Sequence, residues 1–208
     1  MKVVSTNKGK LVEINYHGKM VKTGMFKYPV DEGICLGKED VRGDTVIDRK
    51  YHGGLDKACY LYSTKHYVFW KNRFPDLDWE FGMFGENLSI SDLDEGTVRI
   101  GDVYEIGECL VQVTQPRQPC FKLNYRFNCD SMVKEFIDAG FPGVYIRVLQ
   151  EGIIYSGNKL ILRERNADSL SVSDVYQMLY AVNKDTILLQ KALNDAALAE
   201  SCKKDLSK

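Results

Sequence analysis

The pattern of apolar and polar residues predicts many short strands and few helices over the first 165 residues. Two helices are predicted among these strands, at residues 64–74 and 130–139, the second ending at Gly140. Short strands separated by glycine-containing turns favour a β-barrel over a parallel α/β sheet, and therefore a fold that is mainly β with some helix. The predicted strands are residues 1–5, 11–16, 21–30, 33–36, 57–63, 87–90, 98–100, 103–106, 109–115, 144–149 and 159–163.

The pattern changes after residue 165, because residues 166–208 contain neither glycine nor proline. Apolar residues recur there at helical spacing, first from Val172 to Val182 and again from Leu188 to Leu193. The sequence therefore predicts two domains: a β-barrel of residues 1–165 and a helical appendage of residues 166–208. Two or three short helices cannot form a core of their own, so we expect the appendage to dock on the barrel as a packing element or a partner-binding lid. Ser171 or Ser173 is expected to cap the first helix and Asp185 the second.

Composition and charge exclude several classes of partner. Lys and Arg total 28 and Asp and Glu total 29, which gives no basic field for nucleic acid. Neither a signal peptide nor a membrane-spanning apolar run is recognised. The six cysteines lack the spacing of a zinc finger or an iron–sulfur cluster. Unpaired thiols indicate a reducing compartment, so we expect a cytoplasmic protein that binds neither membrane nor nucleic acid.

Residues 114–123, Thr-Gln-Pro-Arg-Gln-Pro-Cys-Phe-Lys-Leu, are typical of a segment that fixes one thiol in place. Two prolines stiffen the approach to Cys120, and Pro119 suits the first turn of a helix. Cys120 is therefore expected at or near a helix N-terminus, with Arg117 and Lys122 close by. Such surroundings favour the thiolate, which is the form that attacks electrophiles or binds metals. The alternative is a buried structural cysteine.

Two other segments could contribute to a binding site. In residues 43–57, the sequence His-Gly-Gly at 52–54 exposes backbone N–H groups that could bind an anion beside Lys57. In residues 84–89, Phe-Gly-Glu-Asn-Leu-Ser, the carboxylate and amide could hydrogen-bond a polar ring. The alternatives are a solvated glycine turn and a strand-entry turn. We expect residues 43–57 to be held by hydrogen bonds between the backbone and the side chains of Asp44, Asp48 and Asp56.

Taken in this order, His-Gly-Gly-x-Asp-Lys-Ala, Gly-Glu-Asn-Leu and Gln-Pro-Arg-x-Pro-Cys-x-Lys-Leu resemble the MOSC domain. That family is named for the C-terminal domain of molybdenum cofactor sulfurases. Residues 115–125 and the helical tail most resemble its stand-alone bacterial members, which confer N-hydroxylaminopurine resistance and carry a C-terminal three-helix domain. Leu55 departs from the family, which usually has proline at this position.

The resemblance implies a β-barrel pocket that binds the molybdenum cofactor, a pterin dithiolene with a phosphate. Cys120 would be the protein ligand to molybdenum, and Arg117 and Lys122 would pair with the phosphate or the pterin. One wall would be formed by His52, Gly53, Gly54, Asp56 and Lys57, and another by Gly85, Glu86 and Asn87.

The activity implied is reduction of N-hydroxylated bases or amines to the amine and water, with His52 or Glu86 supplying a proton. Because the chain has no flavin or iron–sulfur motif, a separate flavoprotein reductase would donate the electrons. The protein itself is expected to be a monomer or a homodimer. Two alternatives remain open: sulfur transfer through a persulfide on Cys120, and a non-catalytic carrier of the cofactor.

Overall fold

A computed structural model describes residues 1–47 and 53–208, and these residues form twelve strands and six helices. The strands are β1 Lys2–Gly9, β2 Val12–Tyr16, β3 Lys19–Thr23, β4 Lys27–Pro29, β5 Ile34–Leu36, β6 Cys59–Ser63, β7 Leu88–Ser91, β8 Val103–Ile106, β9 Cys109–Pro116, β10 Val144–Gln150, β11 Gly152–Ile154 and β12 Leu160–Glu164. The helices are α1 Thr64–Arg73, α2 Lys122–Arg126, α3 Met132–Ala139, α4 Val172–Tyr180, α5 Thr186–Asn194 and α6 Glu200–Leu206.

Eight of these strands form one curled sheet in the order β12-β8-β9-β10-β6-β7-β1-β4. Its neighbours are antiparallel except for β6 and β7, which are parallel. The sheet bends back on itself, since Lys2 bridges Lys159 and the backbone N–H of Val3 donates to Asn158 (2.8 Å). No longer ladder joins β1 to β12 in the described residues, so the barrel stays open there. The predicted fold class, mainly β with helices, is confirmed.

The core has an aliphatic part and an aromatic part. The aliphatic part is enclosed by the curled sheet and the C-terminal helices. The aromatic part lies where α1, α2 and α3 cover the outside of β6, and its centre is formed by Tyr62, Trp70, Phe84 and Phe136. The indole N–H of Trp70 donates to the hydroxyl of Tyr62 (2.8 Å), so this polar pair is satisfied inside the cluster.

Several element boundaries differ from the prediction. The first strand, predicted at residues 1–5, extends to Gly9, and the predicted strand at 98–100 is reduced to one bridge between Arg99 and Ser171. The predicted strand at 21–30 divides into β3 and β4, because the chain at Gly24 passes very close to Thr45: an added Cβ would lie 1.7 Å from the Thr45 carbonyl oxygen. By contrast, α1 and α3 are confirmed, and Gly140 ends α3 in the left-handed conformation.

The C-terminal helices pack on the sheet, as expected. Val175 of α4 and Cys202 of α6 belong to the same apolar cluster as the strands. Two hydrogen bonds to backbone carbonyls connect the helices to the sheet. The Arg147 guanidinium donates to the Ala197 carbonyl (2.9 Å), and the N–H of Ala199 donates to the Thr114 carbonyl (3.2 Å). Because sheet and helices share this core, the division after residue 165 stays a prediction. None of the described helices has the length and apolarity needed to cross a membrane.

The helix caps in this region match the sequence. Ser171 accepts a hydrogen bond from the N–H of Asp174 (3.0 Å), and the Asp174 carboxylate accepts one from the N–H of Ser171 (3.0 Å), which forms a capping box. Asp185 caps α5 by accepting hydrogen bonds from the N–H groups of Ile187 and Leu188 (2.8 and 3.0 Å). Each cap satisfies donors that the first turn of a helix leaves unpaired.

We expect Ser171→Ala to lower the free energy of unfolding by about 1 kcal/mol, because it removes the acceptor for the Asp174 N–H. Denaturant unfolding followed by circular dichroism would measure this loss. Ser173→Ala is the matched control, since the Ser173 hydroxyl contacts only the exposed side chain of Gln177 among the described residues. An equal loss in both variants would contradict the assigned cap.

Candidate functional site

A pocket of about 650 Å³, partly open to solvent, lies beside the end of β9. This volume includes space that is open to solvent, so the enclosed part of the pocket is smaller. Segments far apart in sequence form its walls: the connection between β3 and β4, the loop before residue 48, the turn before β7 and the loop after β9. The pocket is therefore a product of the tertiary fold, not of one continuous motif.

Cys120 lies on the pocket wall in the loop between β9 and α2, and it is half-buried. The helix begins at Lys122, so Cys120 precedes it instead of lying in its first turn. The backbone carbonyl of Cys120 nevertheless accepts a hydrogen bond from the N–H of Leu123 (3.0 Å), which ties the thiol-bearing residue to the start of α2. The side chain of Lys122 returns into the same pocket.

Arg117 is the most unusual side chain of the pocket, because it is a cation with only 3% of its surface exposed. Its guanidinium carbon lies 5.1 Å from the ring centre of Tyr60 and 5.4 Å from that of Phe136, both cation–π distances. Its Nη1 has no hydrogen-bond partner among the described residues. Burial alone would lower the pKa of Arg117, but the polar groups of Tyr60, Tyr145 and Cys120 outweigh burial and raise it.

The pocket is positively charged overall. Its described lining residues include four cations, Lys27, Lys57, Arg117 and Lys122, and one carboxylate, Asp44. Burial lowers the pKa of Lys57, and the nearby charge of Asp205 opposes that effect. A concave site with this excess of cations attracts an anionic ligand. The buried guanidinium adds donors with the geometry that phosphate and carboxylate oxygens match.

Asp44 joins three of the segments that surround the pocket. One oxygen accepts hydrogen bonds from the N–H groups of Gly9 (2.6 Å) and Thr45 (2.9 Å). The other accepts from the Asn87 amide (2.8 Å) and forms an ion pair with Lys27. The expected side-chain-to-backbone role of Asp44 is thus confirmed. Its pairing with Lys27 has no signal in the sequence, because that pairing depends on how two strands are placed in the sheet.

Most of the residues expected in the site lie together. The pocket is lined by Gly53, Lys57, Gly85, Asn87, Arg117, Cys120 and Lys122. Gly85 has φ +80°, and an added Cβ would lie 3.1 Å from the side chain of Met25, so glycine is required there. The sequence reasoning did not identify Lys27, Tyr60 and Tyr145 as lining residues, because each lies in a strand-like segment without a motif.

Outside the pocket lining lie Gly54, Asp56 and Glu86, whereas Asp48 and His52 fall outside the described residues. Gly54 donates its N–H to the Glu39 carbonyl (2.9 Å). Asp56 forms an ion pair with Arg147 (2.8 Å). Both residues shape the turn that leads to Lys57 instead of facing the cavity.

Glu86 is fully buried behind the pocket wall. Its carboxylate accepts hydrogen bonds from the hydroxyls of Tyr67 and Ser89 and from the N–H groups of Gly82 (2.9 Å) and Phe84 (3.1 Å). Burial raises the pKa of Glu86, although these hydrogen bonds oppose the shift. This arrangement is that of a residue holding the turn before β7.

Comparison with known proteins agrees with this geometry. The model of the MOSC domain matches residues 48–161, more than half of the chain. The chain is 39% identical to the uncharacterized protein YflK of Bacillus subtilis over 199 residues, which cover 96% of this chain and 90% of YflK. It is 34% identical over 176 residues to a protein of Gibberella moniliformis named Reductase, a match that covers 83% of this chain and 31% of that protein.

The fold is also that of a solved relative. The crystal structure of YiiM from Geobacillus stearothermophilus superimposes with a TM-score of 0.82 at 33% identity, covering 99% of this chain and 97% of YiiM. Sequence and structure therefore agree over nearly the whole chain. The chain belongs to the MOSC domain family.

Proposed function

We propose that this protein is a molybdenum cofactor-dependent reductase of N-hydroxylated bases and amines. The observation that carries the proposal is the presence, in one cationic pocket, of the Cys120 thiol and a buried Arg117 whose Nη1 has no hydrogen-bond partner among the described residues. Membership of the MOSC domain family supports the cofactor class. The Gibberella moniliformis relative, by its name Reductase, supports the reaction class.

The residues of the pocket fit such a cofactor. A cysteine thiolate is a soft ligand and suits a soft metal centre. The described residues contain no group of three or more His, Cys, Asp or Glu side chains that could hold a metal ion, so a metal at Cys120 would take its other ligands from the cofactor. Arg117 and Lys122 would bind its phosphate. When bound, the cofactor supplies the two-electron chemistry.

The overall change is R–NHOH + 2e⁻ + 2H⁺ → R–NH₂ + H₂O, so the protein must provide protons as well as binding. Lys57 lines the pocket, and burial lowers its pKa. A lysine shifted in this direction releases its proton more readily than an exposed lysine does, and we therefore propose Lys57 Nζ as a proton donor. The cations fix the anionic end of the ligand, which leaves the open side of the pocket for the substrate.

The electrons would come from a second protein. The chain contains no recognisable flavin or iron–sulfur motif, so we propose a separate flavoprotein as donor. The relative named Reductase is consistent with this, because the region that matches the present chain is less than a third of its length. We also propose that the physiological substrate is an N-hydroxylated base or amine.

We expect Cys120→Ala to remove nearly all bound molybdenum, because it removes the protein's ligand to the metal. Elemental analysis of protein purified anaerobically from a host that makes the cofactor would measure molybdenum per chain. The matched control is Cys129→Ala, since Cys129 is also half-buried but contacts Ser131 and Glu135 instead of the pocket. N-hydroxylamine reduction would then be assayed with a reduced viologen dye.

Three outcomes would count against the reductase. Metal retained by Cys120→Ala would show that Cys120 is not the ligand. Absence of both metal and pterin from the unchanged protein, with sulfur released from Cys120 by cyanide, would favour sulfur transfer. Bound cofactor without any N–O reduction would favour a carrier.

We expect Arg117→Met to weaken retention of the cofactor roughly tenfold to a hundredfold, since a charged hydrogen bond contributes ~1.5–3 kcal/mol. Folding stability should stay the same or rise, because methionine fills the aromatic site without burying a charged group whose Nη1 has no hydrogen-bond partner among the described residues. Pterin content and thermal unfolding, measured on the same preparations, separate the two effects. A lower melting temperature with unchanged pterin would contradict the binding role.

Glu86→Gln tests the proton donor suggested by the sequence. We expect a loss of ~1–3 kcal/mol in the free energy of unfolding, because an amide cannot accept all the hydrogen bonds that the carboxylate accepts. The rate of N–O reduction per bound molybdenum should not change. A large fall in that rate at unchanged stability would instead identify Glu86 as the proton donor.

A further inference from the structure

The hairpin formed by β2 and β3 connects the pocket wall with the loop that carries Cys120. Thr23, the last residue of β3, lines the pocket. At the other end of the hairpin, the ring of Tyr16 lies 4.7 Å from the ring of Phe121, which directly follows Cys120. Because a five-residue antiparallel strand extends over about 14 Å, β3 covers roughly that distance between the pocket wall and the thiol-bearing loop.

This hairpin is not part of the core. The strands β2 and β3 form a sheet of their own, and among the described residues their ladder hydrogen bonds run only between these two strands. Their one buried apolar side chain is Ile14, and neither apolar cluster of the described residues includes it. Because an isolated two-stranded hairpin is only marginally stable in water, its position depends on the contacts at its base and at its tip.

The base of the hairpin is a crossing of bare backbone. Gly9 and Gly24 flank the hairpin, and a Cβ added to Gly9 would lie 2.3 Å from the carbonyl oxygen of Gly24. Asp44 fixes this crossing to the pocket, because its carboxylate accepts the Gly9 N–H (2.6 Å) and pairs with Lys27. Residues 10–23 extend from one narrow connection, which is the kind of place where a pair of strands pivots.

The tip of the hairpin is held by an aromatic contact. The ring planes of Tyr16 and Phe121 are inclined by 39°, and Phe121 is 36% exposed and lies outside both apolar clusters. A single aromatic pair favours the contact only by a factor of roughly two to ten. Such a contact keeps the hairpin against the Cys120 loop for most of the time and still allows it to separate.

We propose that residues 10–23 form a flap that opens and closes over the pocket. The crossing of Gly9 and Gly24 is its pivot, and the contact of Tyr16 with Phe121 is the latch that favours the closed position. In the closed position the flap restricts access to the Cys120 thiol, and in the open position it admits a ligand. Retention of the molybdenum cofactor by the flap rests on the proposed function, whereas control of access to the thiol does not.

The first test measures access to Cys120 in the full-length protein, purified from a host that does not make the cofactor. Iodoacetamide modifies thiols, and peptide mass spectrometry gives the rate at each cysteine. We expect Tyr16→Ala to raise the rate at Cys120 roughly two- to tenfold, because loss of the ring contact favours the open position by that factor. Tyr16→Phe, which keeps the ring, should leave the rate unchanged.

Two other thiols serve as controls within the same molecule. Cys129 is half-buried outside the pocket, and Cys59 is buried in the aliphatic core. We expect neither rate to change in Tyr16→Ala. A parallel rise at Cys59 would show that the substitution loosens the whole protein, and it would overturn the flap. An unchanged rate at Cys120 would overturn it as well.

The matched control variant is Met20→Ala. Met20 lies on the same hairpin close to its turn, and 65% of its surface is exposed. We expect this variant to match the unchanged protein at Cys120. A rise equal to that of Tyr16→Ala would show that any change in the hairpin has this effect, and it would overturn the latch.

A second test measures retention on the cofactor-loaded protein. We expect the fluorescent pterin to leave Tyr16→Ala roughly two- to tenfold faster than it leaves the unchanged protein. Equal rates of release would overturn the part of the proposal that concerns the cofactor. If the unchanged protein holds no pterin, the proposed function fails, while the alkylation rates still decide whether the flap controls access to Cys120.

Discussion

The pocket depends on how the fold buries the guanidinium of Arg117. A cation removed from water is destabilising unless other groups replace its hydration, and here the rings of Tyr60 and Phe136 do so in part. One nitrogen nevertheless has no hydrogen-bond partner in the described residues. The aromatic cluster under α1 and α3 thus holds a positive charge whose remaining partner is best supplied by a ligand. Because folding already holds the guanidinium in place, a ligand that binds it loses little free energy in ordering this side chain.

The same tertiary structure fixes the positions of the other described cations of the pocket, Lys27, Lys57 and Lys122. Asp44 neutralises Lys27 and holds the Asn87 amide, so one carboxylate sets the positions of two lining side chains. Lys57 and Lys122 then contribute to the positive field close to Arg117 and Cys120. Among the described lining residues, one carboxylate against four cations leaves the pocket complementary to a phosphate-bearing molecule. This complementarity agrees with the cofactor class of the family and is independent of the choice of substrate.

The sequence predicted the parts of the site that depend on local chemistry. The prolines around Cys120 indicate a stiff backbone, and Gly85 indicates a crowded one. Cys120 and Gly85 both line the pocket. Glu86 was expected in the pocket wall but lies behind it, because a Gly-Glu-Asn turn can present its carboxylate to the cavity or to the interior. The donors that hold the carboxylate inside, among them the Tyr67 hydroxyl and the Gly82 N–H, come together only in the folded chain. Lys27 and Tyr145 were missed because alternating strand residues carry no sign of which face meets a ligand.

The C-terminal helices belong to the site more closely than their sequence suggested. Ser201 of α6 donates to the side chain of Gln115 (3.1 Å), and Gln118 donates to Asp205 (3.0 Å). These two contacts hold the loop that carries Arg117 and Cys120. Asp205 also acts on Lys57, whose pKa it raises against the effect of burial. A helix that braces the thiol-bearing loop and tunes a lining lysine cannot be removed without changing the pocket. No residue of 166–208 lines the pocket, so this helix acts on it only through the loop and Lys57.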